Sequence, residues 1–396
     1  MKSLLKISQQ TLWQMLGKVV TSLSTFIILG VVARNYGEAG TGTFTLALTY
    51  LGIFYLLADF GFNAHALKNF KLEFRRLLGV RLLWSGLLVV LAVGLLPLWP
   101  FTTPLFSQAV YFGALAIVAS AVYTTCNLIF QSKLRYEFSV LASGTGTLLS
   151  LLAFIYLVSL KPPISFLFSA HFLGWILIAA TALILVKKIN QDVFPIFDNQ
   201  YTIDLFKSSW PIAATLAVNV VYFRADAFMI AYFKGVSDVG IYNVAYSVFQ
   251  SALVLPTFIM NAYYPLMLKS LKGSKLVALG LLSLAVFGTL ITIFLSPLVI
   301  KILTGSGFNG SASSLQILSL GFPAYFLSSL LMWVLVTKGQ YKIMLLIYVV
   351  GLLINFCLNF IYIPLFSFMA ASWITVVSEY LILGMQIMVL FFKPRT

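Results

Sequence analysis

The sequence predicts an all-α polytopic membrane protein, with twelve transmembrane helices in two six-helix bundles related by a parallel pseudo-repeat and both termini cytoplasmic. Three observations predict it: the composition, a train of apolar runs, and a polar loop near the midpoint with similar turns on either side. Of 396 residues, 61% are apolar and 9% charged, and the mean hydropathy is +1.01. A soluble domain is about 45–50% apolar and about 25% charged, so this chain lacks the polar residues to cover a water-facing surface. At roughly 20 apolar residues per crossing, the length accommodates about a dozen helices with short connections. It leaves no room for a large extramembrane catalytic module.

Cut at charged residues and at Gly/Pro punctuation, the apolar runs give spans 9–34, 41–61, 78–100, 107–131, 139–160 and 164–186 in the first half. The second half gives 205–233, 239–263, 276–303, 312–337, 341–364 and 367–392. The first span must contain Lys18, because a helix starting after it has only VVTSLSTFIILGVVA before Arg34, too short to cross. Arg34 to Gly40 turns the chain into the second span, and a basic stretch from Lys68 to Arg76 leads to the third. Pro104, then Lys133 and Arg135, then Lys161 with two prolines separate the next three, and Lys187 and Lys188 end the sixth. Beyond the midpoint, Lys234 and Gly235, Lys269 to Lys275, Gly305 to Gly310, Lys338 to Lys342, and Pro364 mark the successive turns. The opening MKSLLKISQQTLWQMLGK has no compact apolar core followed by a small-residue cleavage site, and it reads as a retained first helix.

The net charge of +15, from 25 Lys and Arg against 10 Asp and Glu, is a sidedness signal. With twelve spans, 19 of the 25 basic residues fall on the side of the N-terminus. The other face receives Arg34, Lys161, Lys234 and Lys301, while Lys18 and Arg224 lie inside helices. By the positive-inside rule both termini are cytoplasmic, in the inner membrane, and the charge needs no nucleic-acid partner. The polar stretch KKINQDVFPIFDNQYTID then divides the chain into a bundle over 1–190, a linker over 191–204 and a bundle over 205–396. At an offset of 198, ARNYGEAGTGTFTLA from Ala33 aligns without gaps on AYFKGVSDVGIYNVA from Ala231. Ala33/Ala231, Gly37/Gly235, Gly42/Gly240 and Ala47/Ala245 are identical, each set at the outer turn between the first and second helices of its half. Six helices per half preserve orientation, which makes the repeat parallel and places a site between the halves.

Ionisable groups at helix depth are costly and are therefore the site candidates. Gln14, Lys18, Thr21, Ser22 and Thr25 recur at steps of three and four, a polar stripe suited to a water-filled cavity. In helix seven, Arg224 and Asp226 are about 200° apart and cannot face one cavity or pair with each other, so one of them must face another helix. Asn219, Tyr222 and Asp226 share a face. Helix eight adds Asn243, Tyr246, Ser247 and Gln250, and helix eleven adds Asn355 and Asn359, which suit hydrogen bonds between helices. Ser372, Thr375, Glu379 and Gln386 form a further stripe in helix twelve, where a mid-membrane carboxyl is protonated, paired or wet. The resulting candidates are Lys18, Gln14, Arg224, Asn219, Asn243 and Gln250 for substrate, and Glu379, Asp226 and Asp59 for a coupling H+ or Na+. Asp59, near the inner interface, can instead cap a helix or pair with the basic loop after it.

No phosphate-binding G-x-x-x-x-G-K-[ST] loop occurs, since TGSGFNGSAS has no lysine. His65 and His171 are isolated, and Cys126 and Cys357 lie in apolar runs without a partner motif. No cofactor, metal or disulfide framework is expected, and these absences favour transport over catalysis.

The segment from Ala33 to Phe70 resembles the opening of the polysaccharide and oligosaccharide flippases in the multidrug/oligosaccharidyl-lipid/polysaccharide exporter superfamily. Arg34, Gly37, Gly42 and Phe44 match an R-x-x-G-x-x-x-x-G-x-[FY] turn, and Asp59, Phe60 and Gly61 match the acidic-apolar-glycine motif after it. In the second half Asp226, Met229, Ile230, Phe233, Gly235, Gly240, Tyr242 and Ala245 match D-x-x-[LM]-I-x-x-[FY]-x-G-x-x-x-x-G-x-Y-x-x-A. Asn35 and Tyr36 stand in the turn where apolar residues are usual, and Lys234 precedes the second glycine. The resemblance implies a non-enzymatic exporter that moves an undecaprenyl-diphosphate-linked oligosaccharide between leaflets by alternating access, beside a polysaccharide polymerase or glycosyltransferases. An antiporter of drugs or organic cations with the same fold is the competing expectation, and a membrane-embedded polymerase the weaker one.

Overall fold

The structure, a computed structural model, describes residues 2–63, 66, 73–99, 103–189, 192–268 and 270–392. Among these residues all regular structure is helical, as the composition predicts. The first helices are α1 (Lys2–Asp59), α2 (Phe74–Gly94), α3 (Pro104–Gly113), α4 (Ala116–Ser132), α5 (Tyr136–Ser159), α6 (Leu167–Lys188) and α7 (Asn199–Phe233). They are followed by α8 (Val236–Ala252), α9 (Val254–Met267), α10 (Ser274–Thr304), α11 (Asn309–Ser319), α12 (Phe322–Thr337) and α13 (Tyr341–Phe392).

Eight helices among the described residues are long and apolar enough to cross a membrane, or nine if α11 and α12, bent by 44°, count as one span. Two of the eight are double length, Trp13–Asp59 with 47 residues and Tyr341–Leu390 with 50. At 1.5 Å per residue each would be about 70–75 Å long, over twice the ~30 Å hydrocarbon core. Each is broken at one residue. In α1 the break is Gly37 (φ 64°, ψ −165°), and in α13 it is Ser367 (φ 54°, ψ −140°), three residues after Pro364. Both breaks fall within a residue of the gaps expected from the sequence. Gly235, the partner of Gly37 at the offset of 198, has nearly the same backbone (φ 96°, ψ 176°) before α8. Positive φ costs glycine nothing, so the aligned glycines do the same work at both turns.

Packing divides the chain into two compact units, Met1–Phe223 and Arg224–Thr396. The division falls inside α7, beyond the polar stretch, because that stretch and the start of α7 are held by the first unit. Arg75 donates to the Phe194 carbonyl (2.8 Å) and pairs with Asp192 (2.8 Å), Arg76 reaches Asp198 (3.3 Å), and the Ile196 N–H bonds the Arg75 carbonyl (2.9 Å). Leu205 of α7 then joins a buried cluster with Phe62, Leu77, Val80 and Leu128. Phe206 lies edge-on to Phe60 and Trp84, with ring centroids 4.8 and 5.1 Å apart.

Candidate functional site

In the second unit the polar groups converge on α8. The Tyr242 hydroxyl donates to the Asp226 carboxylate, which also accepts the Ala227 N–H at 2.7 Å. Arg224 turns to the same helix: its guanidinium lies 5.7 Å from the centre of the Tyr246 ring and donates to Gln250 Oε1 at 3.5 Å. Tyr242, Tyr246 and Gln250 are spaced by four, so they form one row along α8. Arg224 and Asp226 do not pair with each other, and Asp226 faces another helix, as does Arg224. Both engage α8, because the long guanidinium arm swings back while the short Asp226 side chain stays near the backbone. They are nonetheless separated by environment, since Asp226 is buried and Arg224 half-exposed.

Glu379 is 3% exposed on the second segment of α13 and lies close enough to Tyr246 and Tyr348 for its charge to act on both. Asp226 joins a buried tyrosine pair through Tyr242, whose ring lies 5.5 Å from that of Tyr246. The amides of the same unit serve structure: Asn359 donates to Asn355 (2.9 Å) and Asn355 to Ser378 (3.1 Å). Asn243 is buried on α8, and Gln250 is exposed apart from its contact with Arg224. At the break in α13 the Ser367 hydroxyl donates to Asp238 in the first turn of α8.

In the first unit Lys18 and Gln14 are exposed, one turn apart on α1, while the adjoining Gly17 is buried. A methyl group on Gly17 would come within 2.9 Å of Val140, which shows how closely that face of α1 meets α5. The hydroxyls of the stripe fold back onto their own helix, Thr21 to the Gly17 carbonyl (3.0 Å) and Thr25 to the Thr21 carbonyl (2.9 Å). The polar face is thus carried by Lys18 and Gln14. The side chain of Asn219 and residue His65 lie outside the described residues.

Asp59 is taken up by Arg81, an arginine the sequence places among interfacial charges. Arg81 is fully buried in α2; its Nη2 reaches Asp59 Oδ1 at 2.7 Å, its Nη1 reaches Thr125 at 3.3 Å, and its guanidinium sits 5.7 Å from the Phe62 ring. The acidic-apolar-glycine motif has a physical reading here. Asp59 neutralises Arg81, Phe60 enters the aromatic cluster with Trp84 and Phe206, and Gly61 takes a left-handed turn (φ 72°) against Ile212. The available signal for Arg81 is its position inside the third apolar run, four residues after Leu77.

Residues 7–271, about two thirds of the chain, match a family described as polysaccharide biosynthesis protein. A protein of Shigella dysenteriae named "Putative O-antigen transporter" is 25% identical over 287 residues, 70% of each chain. The lipid II flippase MurJ in an inward closed conformation superposes with a TM-score of 0.79 at 13% identity, over 96% of this chain and 87% of that one. An inward-facing multidrug resistance transporter of the MATE family gives 0.71 at 12% identity, over 92% of each. At such identities the likeness to MurJ and MATE proteins establishes the fold. The match over two thirds of the chain establishes more: the protein belongs to the polysaccharide biosynthesis protein family.

Proposed function

We propose that the protein is a flippase that moves an undecaprenyl-diphosphate-linked oligosaccharide across the cytoplasmic membrane by alternating access, for cell-surface polysaccharide assembly. A reading of twelve crossings supports it, with the bent α11 and α12 taken as one span, the two double-length helices cut at Gly37 and Ser367, and α7 counted as a further crossing. With an even count, the basic-residue asymmetry supports both termini in the cytoplasm. The observation that carries the reading is Arg224, a cation at helix depth that remains half-exposed and is held by Gln250 and Tyr246, with no ion pair at contact distance among the described residues. A guanidinium so held suits a diphosphate, and Lys18 on the exposed stripe of α1 supplies a second positive charge. Glu379, with Asp226, is the coupling site for H+ or Na+; Asp59, bound to Arg81, is structural. A polymerase or the glycosyltransferases that build the lipid-linked unit are the partners expected beside it.

The buried carboxyls Asp226 and Glu379 favour a second reading, an antiporter of organic cations, which needs acidic groups in its path. Export of surface polysaccharide in cells deleted for their own flippase separates the two. Wild-type protein should restore export, Lys18→Ala and Arg224→Ala should reduce it at least tenfold at matched expression, and Lys18→Arg should retain much of it. Equal export by wild type and both alanine variants, or ethidium efflux without export, would reject the flippase reading.

A further inference from the structure

We propose that Tyr55, Tyr123, His171 and Trp175 form a carbohydrate-stacking platform within the first unit, against which the sugar rings of the transported head group pack. The proposal rests on the flippase reading. Trp175 lies near the middle of α6 and His171 one turn before it. The same helix exposes Leu173, Ile176 and Ile184, which at 100° per residue cluster on one side, whereas His171 and Trp175 point roughly the opposite way. Both are nonetheless half-exposed. The helix face they occupy is therefore distinct from the apolar strip suited to lipid tails. Tyr and Trp gather at membrane interfaces, where their polar tips reach water, whereas Trp175 stands at mid-helix with Tyr and His around it.

The four rings are fixed to one another. The Tyr55 hydroxyl and His171 Nε2 are 2.8 Å apart, and Tyr55 meets Trp175 at a ring-centroid distance of 5.4 Å. Tyr123 lies 6.3 Å from Trp175, and its hydroxyl bonds Ser139 at 2.9 Å. Tyr123 and Trp175 also pack on the buried cluster that contains Phe130, Ala142 and Ala182. Small residues draw α5 and α6 together beneath them: a methyl on Gly174 would lie 2.6 Å from Ser150 Cβ, and Ser150 donates to the Ala170 carbonyl at 3.0 Å. Tyr55 and His171 stack on each other (6.1 Å, 29°), whereas Trp175 meets Tyr55, Tyr123 and His171 at tilted or perpendicular angles, so among the described residues no stacked ring covers its apolar face, and hydroxyl and imidazole groups stand beside it. Pyranose rings have that same mixture, an apolar C–H face and a polar rim, and aromatic side chains with a polar handle complement it. No full charge is needed, so the platform complements the diphosphate-binding role of Lys18 and Arg224.

The test measures binding of two probes to the full-length protein in detergent by native mass spectrometry, a prenyl diphosphate carrying N-acetylglucosamine and the same prenyl diphosphate without sugar. Trp175→Ala should weaken the sugar-bearing probe about tenfold, in line with one lost stacking face, and leave the sugar-free probe unchanged. Trp175→Phe, which keeps a ring, should recover most of the loss and controls for folding. Equal weakening of both probes, no change in either, or no recovery with Trp175→Phe overturns the platform. A wild-type protein that binds both probes equally tightly overturns the platform and leaves the flippase reading standing. A wild-type protein that binds neither rejects the flippase reading and the platform with it.

Discussion

Asp59→Ala should destabilise the first unit by about 3 kcal/mol. The substitution leaves Arg81, which is fully buried, with a hydrogen bond to Thr125 at 3.3 Å, one to the Asp59 carbonyl at 3.4 Å and the Phe62 ring as its remaining partners. Two unit charges about 4 Å apart interact by ~4 kcal/mol at an effective dielectric of 20. The Asp59 side chain keeps 35% of its exposure, so water screens part of this attraction and brings the figure to about 3 kcal/mol. Breaking a buried pair by removing one partner costs more than replacing both by apolar groups, so Asp59→Ala/Arg81→Met should be more stable than Asp59→Ala alone. Thermal unfolding in detergent, followed by size-exclusion chromatography, is the assay. At ~2–4 °C per kcal/mol for a unit of this size, Asp59→Ala should lower Tm by about 6–12 °C, and the double variant should regain at least half. A double variant no more stable than Asp59→Ala would refute the ion-pair account and return Asp59 to the coupling candidates.

Gly61→Ala should cost about 2–4 kcal/mol, from the left-handed backbone and from a methyl that would lie 2.5 Å from Ile212 Cγ2. Adding Ile212→Ala should recover part of the lost Tm, and no recovery would mean that this contact does not set the cost. Glu379→Gln keeps the shape and most of the hydrogen bonding of a buried residue but cannot titrate. It should leave folding and substrate binding near normal while abolishing gradient-driven transport in proteoliposomes; full gradient-driven transport would make Glu379 structural and move the coupling site to Asp226. Cysteines at the two neighbouring positions of α7 should differ in labelling by a hydrophilic maleimide, Arg224→Cys reacting at least tenfold faster than Asp226→Cys because only the first is half-exposed; equal rates would contradict the assigned helical phase.

What the sequence discloses depends on whether a feature carries its own residue type. The breaks at Gly37 and Ser367 are legible because a left-handed glycine and a nearby proline announce them. The breaks between α3 and α4 and at Leu253 pass through apolar residues that read as continuous helix, and the bend between α11 and α12 falls at Gly321 and Pro323 inside an otherwise apolar run. The polar stretch reads as a linker because its composition is polar, but its docking on α2 rests largely on backbone groups such as the Phe194 carbonyl and the Ile196 N–H. Backbone bonding leaves no trace in residue type. The clustering of polar residues on helices eight and twelve was legible from steps of three and four. That Ser367 bonds Asp238 required the packing of α8 against α13, which no local period encodes. Arg81 was hidden for a different reason: a charge near the end of an apolar run counts equally well as an interfacial residue or as a buried ion-pair partner.

The most direct test of the flippase account is translocation itself. Purified protein is reconstituted into proteoliposomes carrying a fluorescent undecaprenyl-diphosphate-linked oligosaccharide, and arrival of the sugar in the opposite leaflet is followed by its accessibility to an added, membrane-impermeant quencher. Wild-type protein should move the lipid well above protein-free vesicles, and Lys18→Ala/Arg224→Ala should return the rate to that background. Movement by the double variant at the wild-type rate, or none by the wild type, would contradict the account.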